Sequence, residues 1–231
     1  MTSISNPGLT LPTEFLLHSV NTRFLLCPSH TTALSELADQ HRPDNAIAET
    51  WVRPISTPTE LIDVTPSSYT LFSAPRTSHS SISKYNCMLG SATAFLLKEL
   101  SIILQSSAHA YSSFEYSSIT IKLPTSDLTE FNLYRPTPSS PYSQPFTTFT
   151  DQLSFFLPFG STTPREFIFT GDFNIHLDDP TDQQSTLFMS LLANFNHTQH
   201  VSFPLHTLDL VITSASTSLN PIISQRHQHN L

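Results

Sequence analysis

Charged and hydrogen-bonding side chains cluster directly after one apolar run of the chain, in the stretch EFIFTGDFNIHLDDP at positions 166–180. Five of them can bind a cation, a proton or a water: Asp172, Asn174, His176, Asp178 and Asp179. Carboxylate and amide oxygens suit Mg²⁺, and a carboxylate can also take a proton from an attacking water. Gly, Asp and Asn equally favour a simple turn. The stretch alone therefore leaves a hydrolytic site and an ordinary turn as alternatives.

Three further polar residues end other strand-like runs: Asn21, Glu49 and Tyr134. Ligand groups converge at strand ends in layered α/β folds, so these side chains could meet the Asp–Asn pair. A carboxylate there could hold a hard cation, and the pair could position or deprotonate a water for attack on phosphorus. Simpler interpretations stay open: Glu49 as a solvated strand end, and Tyr134 as a partly buried ring. Asn21 alone carries little weight.

The elements that must position these residues follow from hydrophobic periodicity. Strands are predicted over 14–21, 44–49, 69–74, 114–123, 128–136, 165–172 and 207–213, and helices over 31–41, 144–158 and 182–196. The fourth and fifth strands are separated by PTSD, which indicates a hairpin. Pro158 is expected to end the second helix, and the Pro-, Ser- and Thr-rich stretch 53–86 to be mostly irregular surface. Interleaved strands and helices indicate an α/β sandwich with mixed sheets.

Composition indicates which partners the protein can bind and in which cellular compartment it is expected. The 231 residues, 38% of them hydrophobic, can bury a sizeable core. The net charge of −8 argues against an extended basic face that holds nucleic acid by counterion release. Cys27 and Cys87 lie outside any CxxC pattern, and the N-terminus lacks a basic region followed by a long apolar core. No apolar run approaches the roughly 18 residues of a membrane span. We therefore expect an intracellular protein, cytoplasmic or nuclear, with no membrane association and no evident protein partner.

Four motifs occur in the order, and at roughly the spacing, of one family: AETWVRP, FNLYRPTPSS, FIFTGDFNIHLDDP and HTLDLVIT. Together they resemble the endonuclease domain of LINE-type (non-long-terminal-repeat) retrotransposons. That domain belongs to the endonuclease/exonuclease/phosphatase superfamily, which has the fold of DNase I and the apurinic/apyrimidinic endonucleases. The resemblance implies a four-layer α/β sandwich, with two mixed sheets flanked by helices. It divides the chain into a loose leader (1–14), this domain (15–223) and a polar tail (224–231).

The resemblance also implies a role for each candidate residue. Glu49 would hold a divalent ion, Mg²⁺ or alternatively Mn²⁺, and Tyr134 would contact the scissile phosphate. Asp172 would activate the attacking water, with Asn174 aligning water and substrate beside it. The implied activity is metal-dependent nicking of DNA, which an acidic domain in isolation would bind weakly.

Two further positions resemble the family less closely. Asn21 matches the family's first-strand Asn only loosely, and Asp209 resembles an Asp that hydrogen-bonds the site from behind. The family's closing Ser-Asp-His on a last core strand is absent from NPIISQRHQHNL, where His227 and His229 lack a preceding Asp. We therefore expect the last core strand to be missing and the activity of this chain to be impaired. A non-catalytic retroelement remnant and another phosphoesterase of the superfamily remain alternatives.

Overall fold

The computed structural model describes residues 17–21, 26–41, 44–52, 58–73, 91–98, 103–123, 126–140, 143–161, 166–179, 181–202 and 209–219. In chain order the elements are β1 (Leu17–Asn21), α1 (Pro28–His41), β2 (Asp44–Val52), α2 (Pro58–Asp63), β3 (Tyr69–Ser73), β4 (Ser91–Lys98), β5 (Ile103–Ala110), β6 (Glu115–Lys122), β7 (Asp127–Tyr134), α3 (Phe146–Ser161), β8 (Glu166–Asp172), α4 (Gln183–Asn194), β9 (His197–Gln199) and β10 (Asp209–Ser214). The predicted leader, the polar tail and the question of a last core strand lie outside these residues.

The strands form two mixed sheets that pack face to face. One has the order β1-β2-β4-β3 and the other β5-β6-β7-β8-β10-β9. The β1–β2 and β7–β8 pairs are parallel and the other pairs are antiparallel. Strand β2 lies against β7 and β8, and β4 lies against β6 and β7. The predicted hairpin is β6–β7, closed by a hydrogen bond from Leu123 N to Ser126 O of 2.9 Å.

Helices cover the outer face of each sheet, which completes four layers. Helix α1 packs Leu34 and Ala38 against Leu96 of β4. On the other side, α3 and α4 bury apolar side chains against β7, β8 and β10, in a core that includes Leu133, Phe149, Phe156, Phe167, Phe169, Phe188, Leu192, Leu210 and Ile212. Strand residues alternate between faces, so the same strands feed this outer core and the layer between the sheets. The predicted four-layer α/β sandwich is confirmed.

The layer between the sheets changes from apolar to polar along the strands. One end is filled by Phe95, Leu97, Ile119, Ile121, Leu128 and Ile168. Towards the other end, Thr93 Oγ1 and Ser117 Oγ share a hydrogen bond of 2.6 Å, and Asn132 Nδ2 donates to Ala94 O at 3.1 Å. Because buried polar groups are costly without partners, these bonds let polar side chains enter the layer. The polar end is the end where β7 and β8 finish.

Four local predictions were wrong or incomplete. Helix α2 lies in the stretch predicted to be mostly irregular, and strands β4, β5 and β9 were not predicted. Strand β4 reads as a short apolar run that is buried on both faces, so it lacks an alternating pattern. Helix α3 continues past Pro158 to Ser161, although Pro158 lacks the N–H that would donate to Ser154 O. The burial of Phe156 and Leu157 in the outer core offsets that loss. Strand β2 runs to Val52 rather than ending at Glu49.

No helix in the described ranges combines the length and apolar character that crossing a membrane requires.

His197 at the start of β9 is a buried histidine in an apolar setting. Its ring lies 5.2 Å from the Phe167 ring and 5.8 Å from the Phe169 ring, measured between centroids. Neither ring nitrogen has a hydrogen-bond partner among the described residues. Burial lowers the pKa of His197 below its ordinary value of 6.5, and the backbone groups of Asn196 and Leu157 oppose this only in part.

The lowered pKa of His197 predicts that the folded protein loses stability in mild acid. Below pH 6.5 the unfolded chain takes up a proton that the folded chain resists, so stability falls as the pH drops from 6.5 towards the folded pKa. One such group contributes at most about 1.4 kcal/mol per pH unit. Urea unfolding measures the free energy of unfolding between pH 5.5 and 7.5. This free energy should depend less steeply on pH for His197→Phe than for the unchanged chain. The exposed His176→Gln serves as the control, and equal slopes for all three proteins would contradict the prediction.

Candidate active site

Four polar side chains lie on one cross-strand row of the six-stranded sheet, and three of them are candidates predicted from the sequence. Glu115 pairs with Tyr134, Tyr134 with Asp172, and Asp172 with Asp209. Residues directly opposite each other project to the same face, so all four side chains emerge towards the four-stranded sheet. Tyr134 and Asp172 are buried, with 4% and 3% of their surface exposed, whereas Asp209 is exposed and Glu115 partly so. Only tertiary pairing reveals the position of Glu115.

Asp172 and Asn174 form a turn at the end of β8 that fixes both side chains. The backbone N–H of Asn174 donates to Asp172 Oδ1 at 3.0 Å. Asn174 Nδ2 donates to Arg135 O at 2.6 Å, so the amide oxygen faces away from that carbonyl. Asn174 has a φ of +50°, in the left-handed region that Asn tolerates better than most residues. The stretch is therefore a turn, but one that orients a buried carboxylate and a buried amide.

Arg135 joins this turn to the end of β7 from behind. Its backbone N–H donates to Asp172 O at 2.9 Å, and Nη1 donates to Asn174 O at 3.1 Å and Phe173 O at 3.4 Å. Its guanidinium carbon lies 5.1 Å from the Phe146 ring centroid and 4.9 Å from that of Phe149. Burial lowers the pKa of Arg135, and the carboxylate of Asp172 opposes that shift. The sequence patterns predict no role for Arg135, and its place between Tyr134 and a proline is the signal that could have pointed to it.

The backbones of Asn21 and Glu49 approach the same end of the sandwich. Asn21 is the last residue of β1 and pairs with Ala48, the neighbour of Glu49. Ala48 pairs with Thr93 of β4, and the Thr93 side chain hydrogen-bonds that of Ser117 on β6. Ser117 pairs with Asn132, which lies two residues before Tyr134 on β7. The side chains of Asn21 and Glu49 lie outside the described part of the chain.

A bulge or similar register irregularity in β2 lies between Ala48 and Val52, an interval that includes Glu49. The β2–β4 register runs from Ala48 opposite Thr93 to Val52 opposite Ser91, so four residue steps on β2 match two on β4. Such bulges re-aim side chains and are frequent beside active sites.

Within the described residues, no group of three or more His, Cys, Asp or Glu side chains could hold a metal ion. The carboxylate of Asp172 and the amide oxygen of Asn174 are nevertheless donor types that suit Mg²⁺.

The polar residues after Asn174 organise the loop into α4. His176 Nδ1 lies 4.0 Å from Asp178 Oδ1, and both residues are exposed. Asp179 Oδ1 accepts from Thr181 Oγ1 at 2.6 Å and Thr181 N at 2.8 Å, and these bonds lower the pKa of Asp179. Asp182 caps α4 by accepting from the backbone of Gln184 and Ser185. These contacts are those of a structured loop.

Comparison with known proteins identifies the family. Residues 17–230 match the Endonuclease/Exonuclease/phosphatase family. The chain belongs to this family. Its superfamily has the DNase I-like fold, and its members are hydrolases that generally depend on a divalent metal. No curated protein matches the chain. The predicted superfamily is confirmed, and the narrower assignment to retrotransposon endonucleases stays a prediction.

Solved structures of the same fold resemble the chain over most of its length. One is TDP2 of D. rerio complexed with a single-strand DNA product, with 13% identity, 91% of this chain and 87% of that chain covered, and a TM-score of 0.59. A mannosyl-6-phosphatase of Bacteroides thetaiotaomicron has 13% identity, 88% and 86% coverage, and a TM-score of 0.61. The endonuclease domain of TRAS1, a telomere-specific non-LTR retrotransposon, has 11% identity, 87% and 85% coverage, and a TM-score of 0.56.

Gly171, immediately before Asp172, has a backbone conformation and surroundings that only glycine fits. Its φ is +120°, and a Cβ there would collide with Leu133 O and lie 2.8 Å from Asn132 Oδ1. Gly171→Ala should therefore lower the free energy of unfolding by on the order of 2–4 kcal/mol. Urea unfolding measures the change, with the exposed Thr198→Ala of β9 as control. An unchanged stability for Gly171→Ala would show that this backbone relaxes freely.

Proposed function

We propose that the chain is a divalent-metal-dependent phosphodiesterase that nicks DNA, the endonuclease of a retrotransposon. The observation that carries the proposal is the buried turn in which Asn174 N–H binds the Asp172 carboxylate, one strand away from Tyr134 on the same row. Membership of the family supports the reaction class. The four motifs in order, together with the fold shared with the TRAS1 endonuclease domain, support the retrotransposon assignment.

The proposed reaction divides its work among these residues. Asp172 takes the proton from the attacking water, and the backbone N–H of Asn174 holds its Oδ1 in place. The Asn174 side-chain oxygen accepts a hydrogen bond from that water, because the amide nitrogen is engaged with Arg135 O. Tyr134 donates its phenolic hydrogen to a phosphate oxygen. Asp209, opposite Asp172 on β10, orients the site from its edge.

Glu49 is the proposed metal ligand, and Asn21 the residue beside it. The pairing of Asn21 with Ala48 places their backbones next to each other. A bound Mg²⁺ or Mn²⁺ would stabilise the negative charge that develops on the phosphate oxygens. Hard oxygen donors such as a glutamate and an asparagine fit these ions.

A phosphomonoesterase is the second candidate, and the net charge favours it. An acidic protein at −8 attracts a long polyanion poorly, whereas a small phosphate ester needs only a local site. The fold is also shared with a mannosyl-6-phosphatase. A small chromogenic phosphate monoester tests this alternative directly.

The principal prediction concerns nicking of supercoiled plasmid. In Mg²⁺ or Mn²⁺ the chain should convert supercoiled to open-circular DNA, and a chelator should abolish the conversion. Asp172→Ala should slow nicking by about 10²–10⁴-fold, since it removes the proton acceptor. Asp178→Asn, on the exposed loop, is the matched control and should retain the activity.

Three outcomes separate the candidates. Plasmid nicking that Asp172→Ala eliminates supports the endonuclease. Hydrolysis of the monoester without nicking favours the phosphomonoesterase. A folded chain that is inactive on both substrates at every Mg²⁺ and Mn²⁺ concentration would reject both and leave the non-catalytic remnant.

A further inference from the structure

Arg135 is a buried cation that the proposed mechanism does not use. Only 3% of its surface is exposed. Burying a charge is costly unless it is paired and hydrogen-bonded, so a guanidinium at this position needs specific compensation. The structure provides three kinds: two carbonyl acceptors, two aromatic rings and the nearby carboxylate of Asp172.

The contacts of Arg135 with the turn run in both directions. Its backbone N–H binds Asp172 O, and its own carbonyl receives the Asn174 side-chain amide. Its guanidinium binds the carbonyls of Phe173 and Asn174. One residue therefore makes four hydrogen bonds to the last residue of β8 and the two residues that follow it. The φ of +50° at Asn174 has a conformational cost, and these bonds hold the turn in that geometry.

Helix α3 sets the position of the guanidinium from the other side. The Phe149 ring is fully buried and lies 5.8 Å from the Phe114 ring and 6.4 Å from the Phe188 ring, measured between centroids. The Phe146 ring lies 5.8 Å from that of Phe149. A planar guanidinium can lie over such rings and still reach two carbonyls, whereas a lysine ammonium has neither the flat face nor the fork. The outer core is thus connected to the site through one side chain.

We propose that Arg135 is a positioning residue, whose guanidinium transfers the rigidity of helix α3 to the Asp172–Asn174 turn and so fixes the carboxylate that activates water. The catalytic part of this inference rests on the proposed function. The structural part does not, because the turn and its hydrogen bonds exist whatever the substrate.

The test compares Arg135→Lys, which keeps the charge, with Arg135→Met, which keeps only the length. Amide hydrogen exchange is followed at Asn174, whose N–H binds Asp172 Oδ1, and at Leu210 and Ile212 in β10 as internal references. Both variants should exchange at Asn174 at least about 10-fold faster while the β10 amides stay protected, because only the turn loosens. Lys122→Met removes an exposed cation at the far end of β6 and should leave exchange unchanged both at Asn174 and at the β10 amides.

Nicking kinetics provide the second measurement. Arg135→Lys should lower kcat by about 10²-fold with KM nearly unchanged, since a misplaced carboxylate affects the reaction more than DNA binding. If Arg135→Met does not fold, Arg135→Lys alone decides. Accelerated exchange throughout β10 as well as at Asn174 would indicate a merely structural role and overturn the proposal, as would unchanged exchange at Asn174. If the unchanged chain does not nick DNA, the exchange measurement still tests the positioning of the turn.

Discussion

The parallel register of β7 and β8 is the constraint on which the site depends. Parallel neighbours end at the same edge of a sheet, and pairing of Tyr134 with Asp172 brings both strand ends to one row. The chain then leaves both strands side by side, so the residue after Tyr134 can bind the residues around Asp172. A shift by one residue would turn Asp172 into the outer core and bring Phe173 or Gly171 to the inner face.

The polar layer between the sheets gives that register its specificity. Asn132, Thr170 and Ser117 lie on the row below the site, where an alternating apolar pattern would have placed more core. Glu130 is fully buried and accepts from Thr170 Oγ1 at 3.2 Å. Each hydrogen bond adds only about 1 kcal/mol net, but a slipped register would leave several of these groups unsatisfied. Polar burial here selects one alignment more than it adds stability.

Local patterns were enough to predict the elements and residues that depend on neighbours in sequence. The hairpin β6–β7, strand β8 and helix α4 were all predicted from short stretches, whereas the choice of Asp172 and Asn174 rests on the family resemblance. The features that the sequence did not predict depend on contacts between residues far apart in the chain. Arg135 is buried because rings of α3, more than ten residues later, cover it, and Glu115 joins the site row only through its pairing with Tyr134. The continuation of α3 through Pro158 likewise depends on tertiary burial that periodicity does not report.

The buried guanidinium also changes how the acidic composition should be weighed. Surface charges are screened within about 10 Å at moderate salt, so the net charge of −8 acts weakly on any single point of the molecule. Arg135 is removed from water beside Asp172, where the effective dielectric constant is lower and a single cation acts more strongly. A protein that is acidic as a whole can therefore hold a buried cation at one position. The charge at the turn is therefore set by Arg135 and Asp172 together, rather than by the overall balance of the chain.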